Sequence, residues 1–203
     1  MSIEIKLSKR PISYKKAIRF LDRRVIEMKE NRNRELLWIL EHPTTYTAGI
    51  RSNKEEILDK KIKVLSTNRG GKITLHNPGQ KIIYFVLDLK RRKKDIRKLI
   101  SAVEKSIIQF LQMYKVNGKK DSKNIGIWVK DKKIAAIGLK VSRWIAYHGC
   151  SINIDNDLSE YLRIIPCGLD NRKITSIKNE VNNTIKKPNE KLIKIFINNI
   201  NKI

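Results

Sequence analysis

Two cysteines, three histidines and a large excess of lysine supply the reactive side chains of this 203-residue sequence. Cys167 has the most unusual surroundings. It sits in "RIIPCGLD" (163–170), between a proline and a glycine, just after a short apolar run. A structural thiol behaves as a small hydrophobe and usually has core neighbours. Proline and glycine instead fix a turn and let another molecule come close to the chain. Cys167 is therefore the candidate nucleophile for acyl transfer through a thioester, which needs a thiolate, a group to take its proton and donors for the developing oxyanion. Local sequence alone leaves an inert buried thiol as the competing reading. Cys150, mid-strand between Gly149 and Ser151, has no charge partner in sequence and reads as structural.

Candidates for the proton acceptor are several. Lys133 heads "KIAAIG", whose small and apolar residues could line a narrow pocket. A lysine partly desolvated there could have a lowered pKa and accept a proton. Local sequence nevertheless favours a hairpin lysine facing solvent. Among the histidines, His42 in "EHP" reads as a hydrogen-bonded structural residue. His76 and His148 occupy strand-to-loop positions where sites are commonly built, and a Cys–His pair is the usual alternative for activating a thiol. Arg69, Gly70 and Gly71 form a turn that could expose backbone N–H groups, with Arg69 pairing an anion. The stretch matches neither a Walker nor a dinucleotide loop. Histidine spacing and the scatter of carboxylates give no reason to expect a metal.

The elements that must position these residues follow from pattern. Residues 11–28 carry Ala17, Ile18, Phe20, Leu21 and Val25 at helical spacing. A second helix is expected over 93–114, with Ile96, Leu99, Ile100, Val103, Ile107 and Leu111 on one stripe. Strands are expected at 35–42, 63–68, 72–76, 81–89 and 144–155, and a hairpin over 124–142 turning at Lys130 to Lys132. Residues 43–56 read as a loop by composition. Residues 157–165, 174–181 and 189–200 read as helical. The expected fold is a single mixed α/β (α+β) domain over 1–203.

Composition bounds the rest. The chain is 40% hydrophobic and 32% charged, and its longest apolar run, "IIYFVL" (82–87), is far short of a membrane span. Two cysteines with no CxxC, and no apolar stretch at the amino terminus, point to the cytoplasm. The net charge of +25 favours an anionic partner. Its only dense cluster is "KRRKKDIRK" (90–98), and no nucleic-acid-binding motif accompanies it.

Taken in order, "EHPTTYTAG" (41–49), "RGGKITLHNPGQ" (69–80) with "FVLDL" (85–89), "KIAAIGLKVSRWIAYHG" (133–149), "INIDNDLSEYLRIIPCGL" (152–169) and "ITSIKNE" (174–180) resemble the octanoyltransferases, the lipoyl(octanoyl) transferases of lipoate synthesis. The resemblance implies the catalytic fold of biotin and lipoate protein ligases. It also implies transfer of octanoyl from octanoyl-acyl carrier protein to a lysine of a lipoyl domain, in 2-oxoacid dehydrogenases or the glycine cleavage H protein, without a cofactor. It places a Cys–Lys dyad on Cys167 and Lys133, reversing the local reading of Lys133. Substrate contacts then fall on Arg69, Gly70, Gly71, Lys72, Ile73, Thr74, Leu75 and His76, on Ala136, Ile137 and Gly138, and on His148, Gly149, Cys150 and Ser151. Leu75 and Asn77 stand where the family commonly has Tyr and Gly, and Cys150 and Ser151 replace a larger apolar residue and alanine. These departures could alter pocket shape. A monomer without specific nucleic acid or membrane binding is the simplest expectation. The rivals are an ATP-dependent lipoate or biotin protein ligase, which needs no cysteine nucleophile, and a non-catalytic basic RNA-binding module.

Overall fold

The computed structural model describes residues 3–121, 124–166, 173–181 and 189–203. A seven-stranded sheet forms its centre, built from β1 (Ile3–Leu7), β2 (Glu35–Leu40), β6 (Gln80–Asp88), β7 (Lys119–Lys120), β8 (Ile127–Val129), β9 (Lys132–Ser142) and β10 (Ile145–Asn153) in the order β1-β2-β6-β10-β9-β8-β7. Within this sheet the β1–β2 pair is parallel and the other pairs are antiparallel. A smaller sheet joins β3 (Thr45–Ala48), β4 (Val64–Ser66) and β5 (Thr74–His76) in the order β4-β3-β5.

Both faces of the large sheet are covered, which is why β2 and β6 read as near-continuous apolar runs rather than alternating ones. Helix α1 (Tyr14–Lys29) lays Ala17, Leu21 and Val25 on one face, against Leu36, Trp38, Ile82, Tyr84 and Val86. Helix α2 (Ile96–Gln112) and helix α4 (Asn189–Ile200) cover the other. Leu99, Val103, Ile107, Leu192 and Phe196 meet Leu37, Ile39, Ile83, Phe85 and Leu87 there. Burying each such side chain stabilises the fold by about 1.5–3 kcal/mol.

The helices expected over 11–28, 93–114 and 189–200 and the hairpin are present, with the turn at Lys130, whose φ is +54°. Three expectations are corrected. The supposed loop 43–56 contains β3, flanked in register by β4 and β5, and a 3-10 turn at Lys54–Glu56. Residues 157–165 hold a 3-10 turn, Ser159–Arg163, rather than an α-helix. In 174–181 the helix is one turn, α3 (Ile177–Glu180), because Ile174 is drawn out into a bridge with Lys133.

Candidate active site

The α1-covered face of the sheet is interrupted by a cavity of about 350 Å³, and residue size explains why. In the β6-β10-β9 ladder, Ile82, Ser151 and Ala136 stand side by side, and the next row on that face is Tyr84, Gly149 and Gly138. Small residues on two neighbouring strands leave a trough that larger ones would fill. Gly149 is also required by close approach, since a Cβ there would lie 1.9 Å from the Ile83 carbonyl oxygen.

The Arg69–Lys72 loop roofs the trough. Gly70 N–H donates to the Leu139 carbonyl at 3.0 Å, fixing the loop to β9. Arg69 is buried within the roof. Its Nη2 donates to the Thr47 carbonyl and hydroxyl, each at 2.8 Å, and its Nη1 to the Gly70 carbonyl at 3.0 Å. The guanidinium expected to pair an anion is thus engaged in holding the roof to β3. Lys72 pairs Glu56 at 2.8 Å.

Lys133 enters from one end of the trough. Despite its position beside a hairpin turn, it is only 6% exposed. Two features bury it. Its N–H donates to the Lys173 carbonyl and its carbonyl accepts from Thr175 N–H, both at 2.9 Å, so residues 173–175 run alongside it. Gly126, at φ +139°, leaves space where a Cβ would come 2.5 Å from Lys133 Cε. The Nζ lies 5.3 Å from the centroid of the Trp128 ring. Lys133 also lines a small adjoining hollow with Thr74, Ser151, Tyr161, Pro166 and Ile174. Cys167 lies outside the described residues.

The far end of the cavity, at and beyond the Gly138–Gly149 row, is formed by Tyr84 and His148, and His76 lines its β5 side. His76 Nδ1 is 2.8 Å from Gln80 Oε1. The Gln80 NH₂ faces the Leu75 carbonyl, Asn153 Oδ1 and Tyr161 Oη, all acceptors, so its oxygen is left to accept from His76 and Nδ1 carries the proton. His42 Nδ1–H donates to the Ile12 carbonyl at 2.6 Å and its Nε2 accepts from Tyr84 Oη at 2.9 Å, the structural role expected of it. Burial pushes His42 down to about 4 and His76 and His148 down to about 3, so all three are neutral imidazoles above mildly acidic pH. His148 has φ +67°, in the left-handed region. That turn brings its ring against Tyr147, the residue before it, at 4.9 Å between centroids.

Of the substrate contacts expected from sequence, Arg69, Gly70, Gly71, Lys72, Thr74, His76, Ala136, Ile137, Gly138, His148, Gly149, Cys150 and Ser151 all line the cavity. Ile73 and Leu75 do not. Strand alternation sends them into a buried cluster with Tyr46, Tyr161 and Ile164. Cys150 contributes wall, but it packs with its cross-strand partners Ile83 and Ile137 in the core on the opposite face. Burial pushes its thiol pKa up. Sequence reading missed Tyr84, Ile82, Arg51, Asn124 and Ile125 as lining residues, and Gln80, Asn153 and Tyr161 as the network behind His76. "NPGQ" was visible as a turn, but nothing local shows where its glutamine points. No cluster of potential metal ligands occurs among the described residues.

A family model described as the lipoyl protein ligase A/B catalytic domain matches residues 13–198. An octanoyltransferase of Bartonella bacilliformis is 40% identical over 212 residues, covering 94% of this chain and 88% of that protein. The chain belongs to the octanoyltransferase family. It is an acyltransferase acting in octanoyl or lipoyl transfer. The octanoyltransferase fold extends to enzymes of far lower identity. A structure of lipoate-protein ligase A bound with ATP has a TM-score of 0.74 at 14% identity, covering 100% of this chain and 85% of that one. Biotin protein ligase from Aquifex aeolicus in complex with biotin and ATP has a TM-score of 0.59 at 13% identity, covering 98% and 71%. At such identities the likeness is one of fold, and it is the fold expected from the sequence. In this octanoyltransferase the departures at 75 and 77 have structural settings. Leu75 is core, and Asn77 donates to the Asp157 carbonyl at 2.7 Å while accepting from Asn156 at 3.0 Å, tying the β5–β6 turn to the loop after β10.

Proposed function

We propose that the cavity holds the octanoyl chain, that Cys167 is the nucleophile and that Lys133 is its proton acceptor and donor. Octanoyl-acyl carrier protein is the donor and a lysine of a lipoyl domain the acceptor. The observation that carries this reading is Lys133, buried at the end of a trough floored by small residues and lining one hollow with Pro166, the chain neighbour of Cys167.

In the first half-reaction the Cys167 thiol gives its proton to the Lys133 amine and the sulfur attacks the octanoyl thioester carbonyl. Backbone N–H groups near Cys167 and the Ala136–Gly138 strand stabilise the oxyanion, each donor being worth about 3–4 kcal/mol by general precedent. Collapse of the tetrahedral intermediate expels the phosphopantetheine thiolate, which takes the proton back from Lys133. In the second, the neutral acceptor amine attacks the acyl-enzyme, an amide forms, and the amine's proton leaves through Lys133 as the Cys167 thiolate departs. The order is ping-pong. Burial of the chain supplies about 0.8 kcal/mol per methylene, so a hexanoyl donor, shorter by two, is expected to lose about tenfold in kcat/KM.

The enzyme acts as a cytoplasmic monomer, with residues 1–203 as its catalytic unit. Octanoyl transfer from donor to lipoyl domain without added nucleotide, abolished in Cys167→Ser, is the expected result. Transfer that requires ATP and survives Cys167→Ser would replace this reading with a ligase mechanism.

A further inference from the structure

Behind the far end of the cavity lies a second hollow that the proposed chemistry does not use. It is an open groove of about 580 Å³ between α1 and β4, lined by Tyr14, Ile18, Leu65, Thr67 and Asn68 among others. The partition between the two spaces is thin. Asn68 and Tyr14 face the groove, while His148 and His76 face the cavity. His148 Nε2 donates to Asn68 Oδ1 at 2.7 Å, and the Tyr14 and His76 rings stack 5.8 Å apart with planes 12° from parallel. Thr67 and Asn68, on the groove, are followed directly by Arg69, on the cavity.

The direction of the trough gives this partition a role. From Lys133 the floor runs through the Ala136–Ser151 row to the Gly138–Gly149 row and ends at Tyr84 and His148. An acyl group whose carbonyl sits by Lys133 therefore points its methyl end at the Asn68–His148 pair. The left-handed backbone at His148 is what swings the ring across that end. Its second nitrogen, Nδ1, is buried with no hydrogen-bond partner among the described residues, so the bond to Asn68 is the ring's hydrogen-bonded anchor beside its stacking on Tyr147.

We propose that the Asn68–His148 hydrogen bond, backed by Tyr14, is the stop that sets acyl-chain length, and that the groove is the continuation a longer chain enters once the stop is removed. The inference rests on the reading that the acyl chain occupies the cavity. Asn68 is half-buried in a loop and acts as a positioning residue, through the imidazole of His148.

The test compares octanoyl and dodecanoyl thioesters of pantetheine with the full chain, reading acyl-enzyme by intact mass and the dodecanoyl-to-octanoyl ratio of kcat/KM. Asn68→Ala is expected to raise that ratio at least ~10-fold. Adding Ile18→Trp, which fills the groove, is expected to return it toward the wild-type value. Asn68→Ser, a smaller perturbation, is expected to fall between. A wild type that forms the octanoyl adduct while Asn68→Ala and Asn68→Ser leave the ratio unchanged overturns the stop and leaves the proposed function standing. A gain that Ile18→Trp does not reverse overturns the groove as the continuation. A wild type that forms no adduct removes the proposed function and the stop together.

Discussion

Lys133 lies next to a hairpin turn and is nevertheless buried. Lys133 is shielded by the Thr175 and Lys173 backbone, some forty residues on, and within its own hairpin by the Trp128 ring near its Nζ and the missing side chain at Gly126 beneath its stem. None of these is visible in "DKKIAAIG", and local reasoning favours a solvated lysine there. The family resemblance supplied what local pattern lacked. Replacing Lys133 with Met keeps the stem and removes the proposed proton acceptor. Activity is expected to fall by about 10²- to 10⁴-fold, the usual weight of general acid–base catalysis, with the folding transition intact. Near-wild-type turnover by Lys133→Met would assign the proton transfer elsewhere. His76 and His148 were legible as site residues because they end or kink strands. The identity of their partners, Gln80 and Asn68, was not, since both bonds cross between elements.

The element that matters most is the β9–β10 hairpin. Its small residues were readable in order, but their alignment across strands depends on a register that only the paired sheet fixes. Gly138 faces the roof, where a Cβ would come 3.3 Å from the Gly70 carbonyl oxygen and 3.4 Å from Arg69 Cδ. Gly138→Val is expected to narrow the trough and lower kcat/KM for octanoyl donors at least ~10-fold, while an acetyl donor is affected much less. Equal losses for both chain lengths would argue that the strand, rather than the trough, had been damaged. Strand β3 shows the converse limit of sequence. "TYTA" is short and follows a proline, and it is a strand because β4 and β5 flank it, not because its own composition demands it. Strand β1 was also not expected, although Ile3, Ile5 and Leu7 alternate with a period of two.

At the scale of the whole molecule, charge and buried imidazoles set the response to solution conditions. The cluster at 90–98 divides in the fold. Arg92 is buried against Glu35, with Nη2 2.7 Å from Oε2, while Lys90, Arg91, Lys93, Lys94, Arg97 and Lys98 are exposed. Those six form a face suited to steering an acidic protein donor. Raising ionic strength from about 0.01 to about 0.15 M shortens the screening length from about 30 to about 8 Å. kcat/KM should then fall more for octanoyl-acyl carrier protein than for a small octanoyl thioester, and equal falls would remove the steering role.

The histidines act on stability. His42, His76 and His148 stay neutral in the fold down to about pH 4 or 3, whereas in the unfolded chain they protonate near 6.5. Acid therefore favours the unfolded state, and stability is lost as pH falls below about 6.5. Each histidine contributes a slope on the order of 1.4 kcal/mol per pH unit. Urea midpoints measured between pH 7 and 5, above most carboxylate titration, should decline steadily. His42→Gln should flatten that decline by about a third. Midpoints independent of pH in this window would contradict the buried neutral cluster.

The proposed mechanism requires a covalent octanoyl-enzyme on Cys167, formed and discharged with Lys133 at its side. The most direct measurement is the intact mass of the full chain after mixing with octanoyl-acyl carrier protein, with Cys167→Ser in parallel. One octanoyl adduct is expected, absent in the variant and lost when unmodified lipoyl domain is added. No adduct on folded, active protein, or an adduct that persists in Cys167→Ser and maps to Cys150, would contradict it.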